Sequence, residues 1–153
     1  MAEFDEIDRR ILKALQADGR ITNQDLAQRV HLSAAACFER VKRLRERGVI
    51  AGYAALLDPI EVGLPLLIFV EVSLDRTTAE VFSDFANAIR KAPEILECHM
   101  VAGGFDYLIK ARVRDMAAYR NLLGETLVKM PGVRETRTYA VLEEVKATTE
   151  LPI

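Results

Sequence analysis

The stretch Ile21–Arg47, ITNQDLAQRVHLSAAACFERVKRLRER, decides how the rest of the chain is read. Apolar residues recur in it at three- and four-residue steps, first at Leu26 and Val30, then at Cys37, Val41 and Leu44. That is the spacing of helices packed along one stripe. His31 and Leu32 leave room only for a sharp turn between a short helix and a longer one. The hydroxyl of Ser33 can accept from the free N–H groups of the following first turn, so the spacing predicts that the second helix starts there.

Advancing 100° per residue from the apolar stripe turns Ala35, Ala36, Glu39, Lys42, Arg43 and Arg47 away from the core, with Arg40 and Arg45 on the flanks. Between Ala34 and Arg47 five cations stand against Glu39 and Glu46, a local net charge of +3. Small residues at the start of such a helix permit close approach into a major groove, and Arg and Lys further along reach phosphates. The same run also reads as a solvated helix face, and the residues alone leave both readings open.

Size and composition narrow the rest. A chain of 153 residues, half of them apolar, suits one domain or two small ones with a real core. The net charge of −2 hides an asymmetry: residues 1–60 carry +1 and residues 61–153 carry −3, which confines any nucleic-acid contact to the first part. Cys37 and Cys98 sit inside apolar periodic segments and read as small buried hydrophobes rather than a disulfide or metal pair. His31 and His99 lack the spaced partners of a zinc site, so no metal is expected. The acidic start Met1–Asp8 has no apolar signal region, and no run approaches a membrane span of ~18 residues. A cytoplasmic protein without membrane contact is the expectation.

Before the central stretch, Ile7, Ile11, Leu12 and Leu15 form a helical stripe that opens near Asp5 or Asp8 and stops before Gly19. After Gly48, Ile50–Leu57 reads as an extended arm, a wing or a strand leading out of the domain. Asp58-Pro59 and Gly63-Leu64-Pro65 punctuate the chain, which sets a boundary near residue 60. The first domain is then 1–60 and the second 61–153.

The second part alternates. Leu66–Leu74 is a nearly continuous apolar strand. Thr77 with Glu80 makes a capping box for a helix carrying Phe82, Phe85 and Ile89. Ile95–Val101 and the inward set Tyr107, Ile109, Ala111 and Val113 form two strands around Gly103-Gly104. Asp115 caps a helix whose stripe is Met116, Tyr119, Leu123, Leu127 and Met130, and Val133–Leu142 is a fourth strand. Strand, helix, strand, strand, helix, strand is the ferredoxin-like order, so the fold class is α+β. With both helices on one sheet face, the apolar run at Leu66–Val70 predicts that the other face is covered, by a second copy or by the C-terminal tail.

No Ser-His-acid order or metal cluster marks an enzyme, and Gly103-Gly104 lacks the spacing of a phosphate loop. These glycines read as a hairpin turn. They also bring bare backbone amides together with the Asp106 carboxylate, a combination that can hold the carboxylate and ammonium of a zwitterion.

Taken together, several segments resemble the Lrp/AsnC, or feast/famine, family of transcriptional regulators over essentially the whole chain. They are Asp8-Arg9-Arg10-Ile11-Leu12, Gly19–Asn23, Leu32-Ser33 with Cys37 and Glu39-Arg40-Val41, Gly48–Tyr53, Ala102–Tyr107, Met130–Val133 and Thr136–Tyr139. The resemblance implies an N-terminal winged helix-turn-helix, a C-terminal ferredoxin-like effector domain, and no catalysis. It implies double-stranded DNA as one partner, and homodimers assembling to tetramers or octamers as the other. It also implies an amino-acid effector, leucine or proline, bound between subunits and no further cofactor.

By position, the resemblance assigns DNA contact to Ser33, Ala35, Ala36, Glu39, Arg40, Lys42 and Arg43, to which the helical angle adds Arg47. It assigns the effector to Val101, Ala102, Gly103, Gly104, Phe105, Asp106, Thr136, Thr138 and Tyr139. Three positions depart from the family pattern. Ala34-Ala35-Ala36 offers no hydroxyl to a base edge, which leaves readout to thymine methyls and DNA shape. Gly104 replaces a common acidic residue, and His31 replaces a common Gly, which requires a left-handed backbone at His31 if the turn is kept. A chromosome-organising protein with little ligand response, and an enzyme on the same scaffold, are the rival readings.

Overall fold

The computed structural model describes residues 4–153, so the first three residues of the acidic start lie outside it. The chain divides into two compact units. One runs to Leu56 and takes in Lys146–Ile153; the other is Leu57–Val145.

In the first unit, α1 (Glu6–Ala17), α2 (Asn23–Arg29) and α3 (Ala34–Glu46) each begin at a side-chain cap. The N–H of Asp8 donates to Asp5 Oδ1 at 2.7 Å, that of Asp25 to Thr22 Oγ1 at 3.1 Å, and that of Ala36 to Ser33 Oγ at 3.2 Å. Such caps satisfy N–H groups that have no partner within the helix, each contributing about 1 kcal/mol. The apolar stripes meet in a core of Ile11, Leu26, Ala27, Val30, Cys37 and Leu44, all 2% exposed or less. His31 stands at φ 59°, the left-handed conformation the tight turn demands of it. Its neighbour Leu32 donates to the Ala27 carbonyl at 2.8 Å and closes α2.

Ile50–Leu57, expected as a wing or strand, carries no regular secondary structure. A strand is defined by its ladder, and the unit offers this segment no strand to pair with. The tail differs too: a division at residue 60 puts it in the second domain, yet Lys146–Ile153 groups with the first unit. The Gln16 amide donates to the Leu151 carbonyl at 3.0 Å and accepts from its N–H at 2.7 Å, and Ile153 packs on the helical core.

The second unit is a four-stranded antiparallel sheet in the order β2-β3-β1-β4, built from β1 (Leu66–Leu74), β2 (Ile95–Met100), β3 (Tyr107–Val113) and β4 (Val133–Ala140). Helix α4 (Ala79–Ile89) connects β1 to β2. Helix α5 (Met116–Asn121) connects β3 to β4, continued by a π turn at Leu122–Thr126 and a 3-10 turn at Leu127–Lys129. This is the ferredoxin-like arrangement. Ile68, Val70, Val72, Tyr107, Ile109 and Ala111 on one sheet face pack with Phe85, Ile89, Tyr119, Leu122 and Leu127 from the helices.

Three expectations shift. The cap of α4 is Thr78, whose hydroxyl accepts from Val81 N–H, not Thr77. Phe85 and Ile89 are buried against the sheet, as the stripe predicts. The π turn spaces Leu122 and Leu127 five residues apart on one face, so Leu122 is buried where Leu123 was expected; Gly124, a weak helix former, lies within that turn. Met116, at the start of α5, is 54% exposed.

The open sheet face is less apolar than the Leu66–Val70 run suggested. The two-residue strand period sends Ile68 and Val70 under the helices and leaves Leu67 and Phe69 on the other side. They are joined there by Leu108 and Tyr139 and by the charged Glu71, Lys110, Arg112 and Arg137, with Glu97 and His99 along β2. Many of these charges are paired: Lys110 bonds Glu97 at 2.8 Å, and Arg112 bonds Glu144.

Candidate nucleic-acid interface and effector loop

Helix α3 is held at its N-terminus by the Asn23 side-chain amide of α2, which donates to the Ala34 carbonyl at 2.8 Å. Beyond that clamp Ser33, Ala35, Ala36, Glu39, Lys42, Arg43 and Arg47 are exposed, as the helical angle predicts, while Arg40 is only partly so.

The cations are not equivalent. Arg40 Nη1 donates to Asp5 Oδ2 at 2.6 Å and to Asp8 Oδ1 at 2.8 Å, and Arg43 Nη2 reaches Asp8 Oδ2 at 3.2 Å. Asp8 is 2% exposed, the one buried charged residue among the described residues. A buried carboxylate needs such partners, because an uncompensated charge out of water is costly. The bonds to Asp5 and then Asp8 hold the Arg40 guanidinium above its ordinary value. Arg47 lies 5.9 Å over the Phe4 ring. One flank of α3 is therefore tied to the N-terminal segment, and Arg40, expected to face DNA, bonds Asp5 and Asp8 of that segment.

The other flank is free. Lys42 and Arg45 make no ion pair or side-chain hydrogen bond among the described residues, and with Glu46 and Ile50–Tyr53 they line an open groove of about 640 Å³. Beside them Phe38 is 56% exposed. Phe38 and Arg45 are absent from the interface that the sequence predicts. A signal for Phe38 exists: it falls outside the Cys37-Val41-Leu44 stripe, one turn from both Ala34 and Lys42.

In the second unit, Val101–Asp106 joins β2 to β3 as a six-residue loop rather than a two-residue hairpin. Val101 N–H donates to the Asp106 carbonyl and Asp106 N–H to the Val72 carbonyl, each at 3.0 Å. Ala102, Gly103 and Gly104 are exposed, and Phe105 is half-buried. Neither glycine has a positive φ, and a Cβ on either would meet nothing within 4 Å. Nothing in their own unit requires glycine, and the space over them is open. The Asp106 carboxylate is already engaged, because Oδ2 accepts from Leu74 N–H at 2.7 Å where the β1–β4 register shifts. Its other oxygen accepts no hydrogen bond among the described residues.

Register also separates the β4 residues expected in the effector set. Thr136 pairs with Val72 and Thr138 with Val70, placing both on the helix side, where the Thr138 hydroxyl bonds Tyr119 of α5. Tyr139 pairs with Phe69 on the open side, and its hydroxyl donates to Glu71 Oε1 at 3.0 Å. Within one chain the structure does not bring the three together.

Cys98 is a free thiol on the helix side of β2, pushed up to about 11 by burial, and Cys37 is free and buried. Among the described residues no group of three or more His, Cys, Asp or Glu is placed to hold a metal, and no helix is long and apolar enough to cross a membrane.

A helix-turn-helix with a cation-bearing outer helix, in one chain with a βαββαβ unit, defines a class: DNA-binding transcriptional regulators that carry a separate ligand-binding domain. Residues 4–51 match the winged helix-turn-helix DNA-binding family, and residues 67–151 match the Lrp/AsnC ligand binding domain. The chain is 55% identical over 151 residues to the leucine-responsive regulatory protein of Escherichia coli strain K12, covering 99% of this chain and 92% of that protein. A transcriptional regulator from Neisseria meningitidis, solved in complex with L-Met, superposes with a TM-score of 0.94 at 41% identity, over 98% of this chain and 97% of the other. An AsnC family regulator from Agrobacterium tumefaciens gives 0.93 at 34% identity, over 97% of each. The chain belongs to the Lrp/AsnC family and is a DNA-binding transcriptional regulator. DNA binding and oligomerisation are typical of that family, which is not one of enzymes.

Proposed function

We propose that this regulator senses a small apolar amino acid, leucine before proline, and that the bound amino acid changes its assembly and hence its grip on DNA. The observation that carries this reading is the loop Val101–Asp106, where two exposed glycines have open space in the place of a side chain that their own unit does not fill. Backbone N–H groups suit an amino acid's carboxylate, and the free oxygen of Asp106 suits its ammonium. The relatives support the ligand class: one at 55% identity is named leucine-responsive, and one at 41% was solved with L-Met.

Because Thr136, Thr138 and Tyr139 divide between two sheet faces, the amino acid is held between copies of the chain. The Thr residues and the Tyr are then contributed by different subunits. Dimers assemble further to tetramers or octamers, and α3 of each dimer occupies successive major grooves in the cytoplasm. The amino acid acts through its different affinity for two assemblies, a coupling typically of ~1–3 kcal/mol.

Calorimetry against the twenty amino acids, with sedimentation velocity and operator binding at saturating ligand, tests this. Leucine is expected to release heat, shift the sedimentation coefficient and change operator affinity several-fold. Gly103→Val and Gly104→Val should abolish these responses without loss of stability. Absence of heat with every amino acid, with assembly and DNA affinity unchanged, would overturn the sensing role and favour a chromosome-organising one.

A further inference from the structure

We infer that Phe38 is the principal sequence-reading side chain of α3 and that it reads thymine, by packing its ring on C5-methyl groups in the major groove. The inference deepens the DNA-binding role of α3 and rests on it.

Three observations carry it. Phe38 is 56% exposed on a helix whose apolar stripe is fully accounted for by Cys37, Val41 and Leu44, so its ring does not serve the unit's own core. It lies on the free flank, one helical turn beyond Ala34 and one before Lys42, whereas Arg40 and Arg43 on the opposite flank are held by Asp8. The side chains around it divide by chemistry, since Lys42 and Arg45 are free for phosphates while Ala34 and Ala35 carry no hydrogen-bonding group. Toward the helix start, where Ala34 and Ala35 offer base edges no side-chain hydrogen bond, the one large group on this flank is the apolar Phe38 ring. In the major groove, the apolar feature that distinguishes one base from the others is the thymine methyl.

A protein partner is the other occupant an exposed aromatic can have. Two unpaired cations beside the ring disfavour an apolar protein surface, which would bury both without partners. Phosphates flanking a thymine supply those partners.

The test uses the full-length protein and a duplex enriched by it from a random-sequence library, read by fluorescence anisotropy at fixed salt. Each symmetric thymine pair is replaced in turn by deoxyuridine, which lacks only the C5 methyl. For one pair near the centre of each half-site, wild type is expected to lose about fourfold in affinity per methyl, the value of one buried CH₂. Phe38→Ala should bind the thymine duplex more weakly by at least that factor and be indifferent to the uracil exchange. Phe38→Leu should keep part of the thymine preference.

The inference is overturned if wild type is indifferent to uracil at every position, or if Phe38→Ala retains the full thymine preference. It is equally overturned if Phe38→Ala changes the mass by light scattering while DNA affinity stays constant, which would make Phe38 a protein contact. Failure of the wild-type protein to enrich any duplex would instead remove the DNA-binding role of α3, and this inference with it.

Discussion

The helical unit and the sheet unit both bury one apolar face, yet they fix their outward faces by different means. In the helical unit, polar side chains set the placement: Asp8 grips Arg40 and Arg43, and Asn23 grips the Ala34 carbonyl. In the sheet unit the backbone ladder does so, and a residue's face follows from its register with β1. An ion pair can release one cation and hold another on the same helix, so the functional face of α3 is graded. Register admits no grading: Thr138 and Tyr139 are neighbours in sequence and lie on opposite sides.

This contrast can be broken by substitution, and the largest effect is expected in the sheet unit. Gly132 has φ +75°, and a Cβ there would meet Val81 Cγ1 at 2.4 Å. Gly132→Ala should therefore cost about 3 kcal/mol, combining left-handed strain with overpacking; urea denaturation measures it. A loss under about 1 kcal/mol, on the same scale of overpacking costs, would mean that α4 yields and the sheet unit is the softer one.

Asp8→Ala comes next, at about 2 kcal/mol. That is below the usual cost of breaking a buried pair, because Arg40 and Arg43 are partly exposed and can rehydrate. It should also raise affinity for random duplex DNA by freeing Arg43, while Arg40 keeps its bond to Asp5. Unchanged random-DNA affinity would remove Asp8 as the device that grades the helix. The neighbouring Asp5 carboxyl is held below the usual carboxylate range, first by the Asp8 N–H and then by Arg40. Its contribution is present above about pH 4, the unfolded value, and is lost as pH falls through the depressed folded value, so α1 contacts should loosen only in that acidic window.

A smaller effect separates the two flanks of α3. Lys42→Ala should reduce the slope of log affinity against log salt by about 1 per subunit, the signature of one lost phosphate contact, while Arg40→Ala should leave it unchanged. Equal slopes for both variants would erase the distinction between held and free cations. The smallest is His31→Gly, expected to stabilise by roughly 0.5 kcal/mol in thermal melts, as relief of left-handed strain slightly exceeds the added freedom of the unfolded chain.

Much of this was legible in the residues. Ser33 and Asp115 announced their helices, and Tyr107, Ile109, Ala111 and Val113 announced a half-covered strand; the left-handed backbone at His31 followed only from the family's turn. The misreadings have a common origin. Thr77 has the capping-box partner Glu80, yet the helix starts one residue later at Thr78, whose hydroxyl accepts from Val81 N–H. Leu123 lost its place to Leu122 because a π turn inserts a residue into the helical period, which no fixed 100° step anticipates. Arg40 looks like a phosphate ligand until the carboxylates that claim it are in view.

What the amino-acid sequence determined by itself were the features governed by neighbours within a turn or a strand: caps, stripes, alternation, and from their order the helix-turn-helix and βαββαβ plan. What the tertiary structure alone decided were the partners brought from afar. Asp8 meets Arg40 across 32 positions and Leu151 meets Gln16 across 135, and β4 takes its faces from pairing with β1. The reason is physical: a local rule depends on a dihedral period carried by every residue, whereas an ion pair or a strand register depends on where chain closure places the other half.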